Sequence, residues 1–175
     1  MDLNLELAFD EPVDLSHTFE ISKEKLGREE LLSLQPVRFS GRLMKTDPGF
    51  ALTGRIEIAG TAECVRCLGE VPFSRSGPVS WVFAPTHERP KAEEEETELA
   101  DTDLDVVWYD DFVVPFDPLI EEQLQLEIPM KPLCRESCLG LCPKCGADRN
   151  TAPCGCAEEA DDRWTALRSL LGPRG

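Results

Sequence analysis

The sequence predicts an α+β protein: a curved antiparallel β-sheet or partial barrel with a few helices, closed by a cysteine-rich C-terminal tail. Three observations carry that expectation. Apolar and polar residues alternate at period two through much of the stretch from Leu3 to Phe83, as in strands with one buried face. Helical spacing with clear start and stop signals enters only at Asp117. Six of the eight cysteines fall between Cys134 and Cys156, in the run L-C-R-E-S-C-L-G-L-C-P-K-C-G-A-D-R-N-T-A-P-C-G-C.

In chain order, Leu3, Leu5, Leu7 and Phe9 share one parity and predict a first strand, ended by Glu11-Pro12. Val13 to Ile21 follows as a second strand. From Ser22 to Leu34 the chain is polar with scattered leucines; Ser22 can cap a short helix that Gly27 interrupts. Val37 to Lys45 is a strand, Thr46-Asp47-Pro48-Gly49 a turn, and Phe50 to Ala62 a long strand whose Gly54 and Gly60 suggest a bulge or curvature. Cys64-Val65-Arg66-Cys67 then sits at the tip of a hairpin, and Val71 to Phe83 runs back, broken at Gly77-Pro78.

The segment at about 84–105 has Pro85, Pro90, a run of four glutamates from Glu93 and no apolar periodicity, so it is expected to be an inserted acidic loop. Short strands are expected around Asp110-Asp111. Asp117-Pro118 starts a helix, with Asp117 as N-cap and Pro118 at the first position, and Pro129 and Pro132 stop it. Beyond Cys156, Asp161 or Asp162 caps a last helix, Arg163 to Leu171, with Trp164, Leu167, Leu170 and Leu171 as its apolar stripe. The expected organisation is a sheet domain over 1–132 and, over 133–175, a tail with its terminal helix packed back on it.

The net charge of −16 opposes non-specific binding to a phosphate backbone. No apolar run is long enough to span a bilayer, and the start, Met1-Asp2-Leu3-Asn4, lacks the basic flank and apolar stretch of a secretory signal. A cytoplasmic protein with reduced thiols is expected, which favours metal over disulfides.

The spacing of those thiols carries the chemistry. Thiolates suit Zn2+, which takes four ligands tetrahedrally in closed structural sites. Cys142-Pro143-Lys144-Cys145-Gly146 and Cys64-Val65-Arg66-Cys67 have the knuckle spacing, Cys134 and Cys138 form a looser pair, and Gly155 lets Cys154 and Cys156 bend round one ion. Eight cysteines make two four-sulfur sites, so two Zn2+ are expected and the tail becomes zinc-ribbon-like. The preferred partition joins Cys142, Cys145, Cys154 and Cys156 within the tail, and Cys64, Cys67, Cys134 and Cys138 across the chain. A rival joins Cys134, Cys138, Cys142 and Cys145, leaving Cys64 and Cys67 to Cys154 and Cys156. An iron–sulfur cluster could use the same ligands, although short turns flanked by Pro and Gly lean to zinc.

No catalytic residues stand out. His17 and His87 lack a Ser or Cys partner, and no Gly-rich phosphate loop is present. Four sulfurs per site leave no position for water, so no enzyme and no small-molecule substrate are expected; the alternative is a cysteine-based redox or metal-dependent enzyme. Arg42, Arg55, Arg66 and Arg75 could form a basic face on the sheet, where RNA would touch, although a solvated strand face is the preferred reading of them.

These features together resemble the YceD family, the large ribosomal RNA subunit accumulation proteins. The resemblance rests on C-x-R-C-L ending at Leu68, on D-P-L-I-E-E-Q-L-x-L from Asp117, on I-P-M-K-P-L-C-x-x-x-C-x-G-L-C-P-x-C-G from Ile128 to Gly146, and on C-x-C followed by D-x-R-W-x-x-L-x-x-L from Asp161. Arg149, before Asn150, departs from the apolar residue expected there. The resemblance implies metal at the cysteines. It also implies a non-enzymatic factor for the accumulation of large-subunit ribosomal RNA in ribosome assembly, with the RNA precursor or a basic ribosomal or processing protein as partner.

Overall fold

The computed structural model describes residues 1–89 and 106–156. The acidic stretch and the helix expected at Arg163 to Leu171 lie outside the described residues, apart from the start of the former at 84–89. Eight strands and two α-helices form among those described: β1 (Asp2–Asn4), β2 (Val13–Phe19), α1 (Lys23–Leu26), β3 (Leu31–Leu34), β4 (Val37–Lys45), β5 (Phe50–Glu63), β6 (Glu70–Pro85), β7 (Val106–Tyr109), β8 (Val113–Pro115) and α2 (Asp117–Glu127).

The six-stranded sheet has the order β2-β4-β5-β6-β7, with β3 also on β5, and β1 and β8 make a separate two-stranded sheet. Both sheets are open. The 14-residue β5 is the central element. Residues 50–57 of its outer edge pair with β4 and residues 60–62 with β3, while its other edge pairs along its whole length with β6. Its period-two pattern is borne out, because Leu52, Ile56 and Ile58 are buried while Thr53, Arg55 and Glu57 are exposed. The turn expected at Thr46 to Gly49 is closed by two backbone bonds, Thr46 N–H to Gly49 O at 2.7 Å and Gly49 N–H to Thr46 O at 2.9 Å.

The core lies on one face of this sheet, under α2. Ile120, Leu124 and Ile128 are fully buried against it. Phe116 meets Phe19, Phe39 and Trp81 edge-on at ring-centroid distances of 5.6, 5.2 and 5.4 Å. A second group joins Phe9, Phe50, Tyr109 and Phe112. Among the described residues no helix is long and apolar enough to cross a membrane.

Several local expectations are corrected. The first strand stops at Asn4, whose side chain accepts from the Glu6 N–H and turns Leu5–Ala8 into a 3-10 segment. Ala8 is therefore buried and Leu7 exposed, against the period-two pattern. Ile21 lies outside β2, and Leu31–Leu34 is a strand that its scattered leucines did not announce. Its pairing with β5 contains an irregularity between Leu31 and Ser33, and the Ser33 carbonyl lies where a side chain on Gly60 would go. Strand β6 continues through Gly77-Pro78 for 16 residues; β7 reaches only Val82 to Pro85, so Pro78 lies on an open edge that tolerates a missing N–H. The sheet is not wholly antiparallel, because β7 joins β6 in parallel. The chain between Pro85 and Val106 is long enough for the crossover that parallel pairing requires. Finally, Phe116 occupies the N-cap of α2 and Asp117 its first turn.

Candidate metal centre

The cysteines converge in two groups of four. Cys64, Cys67, Cys134 and Cys138 form one, Cys142, Cys145, Cys154 and Cys156 the other, with the sulfurs of each group within 4.8 Å of one another. This is the preferred partition; the rival is not the one the fold adopts. All eight are free thiols.

In the first group Cys64 Sγ is 4.0 Å from Cys138 Sγ, and Cys67 Sγ is 3.7 Å from Cys134 Sγ. Sulfurs held tetrahedrally at about 2.3 Å from Zn2+ lie about 3.8 Å apart. The first donor set therefore fits a tetrahedral thiophilic ion, and the second, four sulfurs within 4.8 Å of one another, can likewise hold one.

Two copies of one backbone turn build the sites. In the β5–β6 hairpin the Cys64 N–H donates to Gly69 O at 2.8 Å and the Leu68 N–H to Cys64 O at 2.9 Å. In the tail the Cys142 N–H donates to Ala147 O at 2.8 Å and the Gly146 N–H to Cys142 O at 2.9 Å. Each turn is closed by an antiparallel pair at the same offsets, Glu63 with Glu70 and Leu141 with Asp148. The left-handed position also coincides, at Leu68 with φ 60° and Gly146 with φ 71°. In the hairpin knuckle the residue with positive φ is thus a leucine, Leu68, and not the glycine that follows it, Gly69.

The turns polarise their sulfurs. Burial pushes the Cys64 thiol up, but the backbone N–H groups of Cys134, Arg66 and Cys67 outweigh it and bring it down to about 6. The N–H groups of Cys145 and Lys144, with the Cys154 side chain, draw Cys142 down to about 6. Their neighbours resist: contact with Cys138 lifts Cys134 to about 12, and contact with Cys145 and then Cys142 lifts Cys156 to about 12. Four thiols in van der Waals contact cannot all lose a proton without a counter-charge, and a divalent cation supplies one.

Residues outside the cysteine pattern hold the two groups together. The Val65 N–H donates to Pro132 O at 3.0 Å, and Arg66 Nη1 donates to the carbonyls of Glu136 and Cys138 at 3.0 and 2.9 Å. The Leu141 N–H donates to Arg66 O at 2.9 Å, and Gly140, with φ 71°, lies so close that a Cβ there would be 2.7 Å from that oxygen. Asn150 Nδ2 donates to Cys138 Sγ at 3.4 Å. Burial pushes the Cys138 thiol up, yet the Asn150 amide and the Gly140 N–H hold it below its ordinary value. Arg149 is exposed, and its N–H donates to Gly140 O at 3.0 Å. The position takes a polar side chain because only its backbone faces inward. None of Asn150, Gly140 or Arg66 was expected from sequence to support the metal ligands, although Arg66 and Gly140 stand as fixed letters of C-x-R-C-L and C-x-G-L-C and Asn150 lies close to C-x-C.

The arginines do not make one basic face. Arg66 is tied to the knuckle, Arg42 donates to both oxygens of Asp14 at 2.7 and 2.8 Å, and Arg55 donates to Ser76 Oγ at 3.2 Å. The register sets Arg75 opposite Ile58, on the other face from Arg55, which lies opposite Pro78.

An open β-sheet bearing two four-cysteine groups, one uniting sheet and tail, defines a small β-protein with two sites able to hold metal. The chain belongs to the family described as large ribosomal RNA subunit accumulation protein YceD, which matches residues 52–171. It is 32% identical over 132 residues to uncharacterized proteins of Mycobacterium tuberculosis strain H37Rv and of Mycobacterium bovis, a match covering 75% of this chain and 60% of theirs. To an uncharacterized protein of Mycobacterium leprae it is 26% identical over 138 residues, covering 79% of this chain and 60% of that one. No solved structure matches the chain.

Proposed function

We propose that the chain is a non-enzymatic factor for the accumulation or processing of large-subunit ribosomal RNA, acting in ribosome assembly in the cytoplasm, with Zn2+ in both sites as a structural ion. Family membership supports the ribosomal role. The observation that carries the structural reading of the metal is the composition of the sites, four cysteine sulfurs each. A tetrahedral ion so held has no position for water or substrate. Residues 1–132 then form the sheet domain and residues 133–175 a zinc-ribbon-like tail. The net charge of −16 suits a basic ribosomal or processing protein as direct partner at least as well as the RNA precursor.

Depletion of the protein, with quantification of large-subunit against small-subunit ribosomal RNA and sedimentation of the protein with precursor particles, tests the role. A selective fall in large-subunit RNA and co-sedimentation are expected. Unchanged RNA levels would remove the ribosomal reading, and a loosely held metal with an open coordination position would restore the enzymatic alternative.

A further inference from the structure

We infer that the two four-sulfur groups take up metal as one cooperative unit, coupled through Asn150. The inference rests on the reading that the thiols hold metal, and adds a coupling between the two sites to it. The loop carrying Asn150 lies between the two cysteine pairs of the second group, so the ion there fixes the loop. The side chain of Asn150 serves the first group. Its Nδ2 donates to Cys138 Sγ at 3.4 Å, and its Oδ1 accepts from the Leu139 N–H at 2.8 Å and from Arg135 Nη2 at 2.9 Å. Asp148 Oδ1 aims the amide, taking the second Nδ2 proton at 2.6 Å and the Asn150 N–H at 2.9 Å. All four bonds of the amide are thereby used, which fixes its orientation with nitrogen toward sulfur.

The backbone repeats the link. Arg149 N–H donates to Gly140 O at 3.0 Å, and Leu141 N–H to Arg66 O at 2.9 Å. Cys138 of the first group and Cys142 of the second are joined by three residues, 139–141, and the carbonyl of one and the N–Hs of the other two take part in these bonds. A change of position in one group therefore reaches the other through a short segment in which every residue is hydrogen-bonded. Asn150 is a positioning residue: it acts on the ion through Cys138, as partners of ligands do in metal sites, where their loss costs about ten- to hundred-fold in affinity.

The test is a competition titration of the full-length, reduced chain with Zn2+ against a chromophoric chelator, repeated with Co2+ to read each site by its absorption. Wild type is expected to fill both sites in one cooperative step. Disabling the second group with Cys145→Ser and Cys154→Ser should weaken the first by about ten-fold or more, and Asn150→Asp in the intact chain should do the same. Combined, the changes should add little to either alone, because they remove the same coupling. In Asn150→Ala the sulfur-to-Co2+ charge-transfer band of the first site should shift while that of the second stays, a signature that mere loss of stability does not produce. Asp148→Ala, which frees the amide without removing it, gives a milder version if Asn150→Asp does not fold. Two sites filling independently, or a first site indifferent to Cys145→Ser and Cys154→Ser, overturns the coupling alone; a wild-type chain that binds no metal overturns the metal reading with it.

Discussion

The two cysteine turns share a hydrogen-bond pattern but differ in what stands beneath them. The hairpin turn is the end of a ladder that runs from Phe50 to Glu63 against Glu70 to Phe83, over a core of fully buried aromatic and aliphatic side chains. The tail turn closes on a single bridge, Leu141 with Asp148. Backbone geometry is thus the same where the protein core dictates it and where almost nothing does. The sheet presents its two thiols at the end of its own ladder, whereas the tail has only that bridge and its bonds to the hairpin.

Metal removal should separate the two regions most. Structural Zn2+ is worth about 10–16 kcal/mol apparent in small zinc peptides. Chelation under reducing conditions should abolish amide-exchange protection from Cys134 to Cys156 and leave β4, β5 and β6 protected; equal loss in both regions would remove the asymmetry. Damage from the other side comes next. Phe116→Ala takes a fully buried ring from beneath the sheet and should cost about 3–5 kcal/mol in denaturant unfolding. The two cysteine groups should then keep or lose their ions together in native mass spectra.

A smaller effect distinguishes the left-handed positions. Leu68→Gly relieves a strained residue, while Gly146→Ala introduces one, each by about 1 kcal/mol. Thermal unfolding should show the first as stabilising, with the second appearing as weaker metal retention in the tail. The smallest effect belongs to the exposed Asp14–Arg42 pair, remote from both turns. The Arg42 hydrogen bond holds the Asp14 carboxyl below its ordinary value of 3.8. Its contribution is present above that value and is lost as pH falls through the lowered one. Asp14→Asn should be slightly less stable than wild type at neutral pH, equal to it in acid, and unchanged in metal content at neutral pH.

Much of this was legible in the sequence where the signal is local. Alternation marked β4 and β5, Pro118 marked the start of α2, and cysteine spacing indicated the grouping the fold adopts. What escaped depends on distant chain. Strand β3 has too little pattern in Leu31–Leu34 and exists because β5 offers it an edge. The parallel pairing of β7 is set by the edge of β6 that receives it, which nothing in Val106–Tyr109 announces. Asn4 turned the first strand into a 3-10 segment with one side-chain bond, enough to move Leu7 to solvent. Asn150 could not be singled out, because its role comes from meeting Cys138 in space.

The central claim is that each cysteine group is a closed four-sulfur site for a divalent ion. X-ray absorption at the metal edge of the protein, purified under reducing conditions, tests it most directly. Two ions per chain, identified as zinc, with four sulfurs each at about 2.3 Å and no oxygen or nitrogen neighbour are expected. Fewer than four sulfurs round the metal, with a light atom completing the shell, would contradict it.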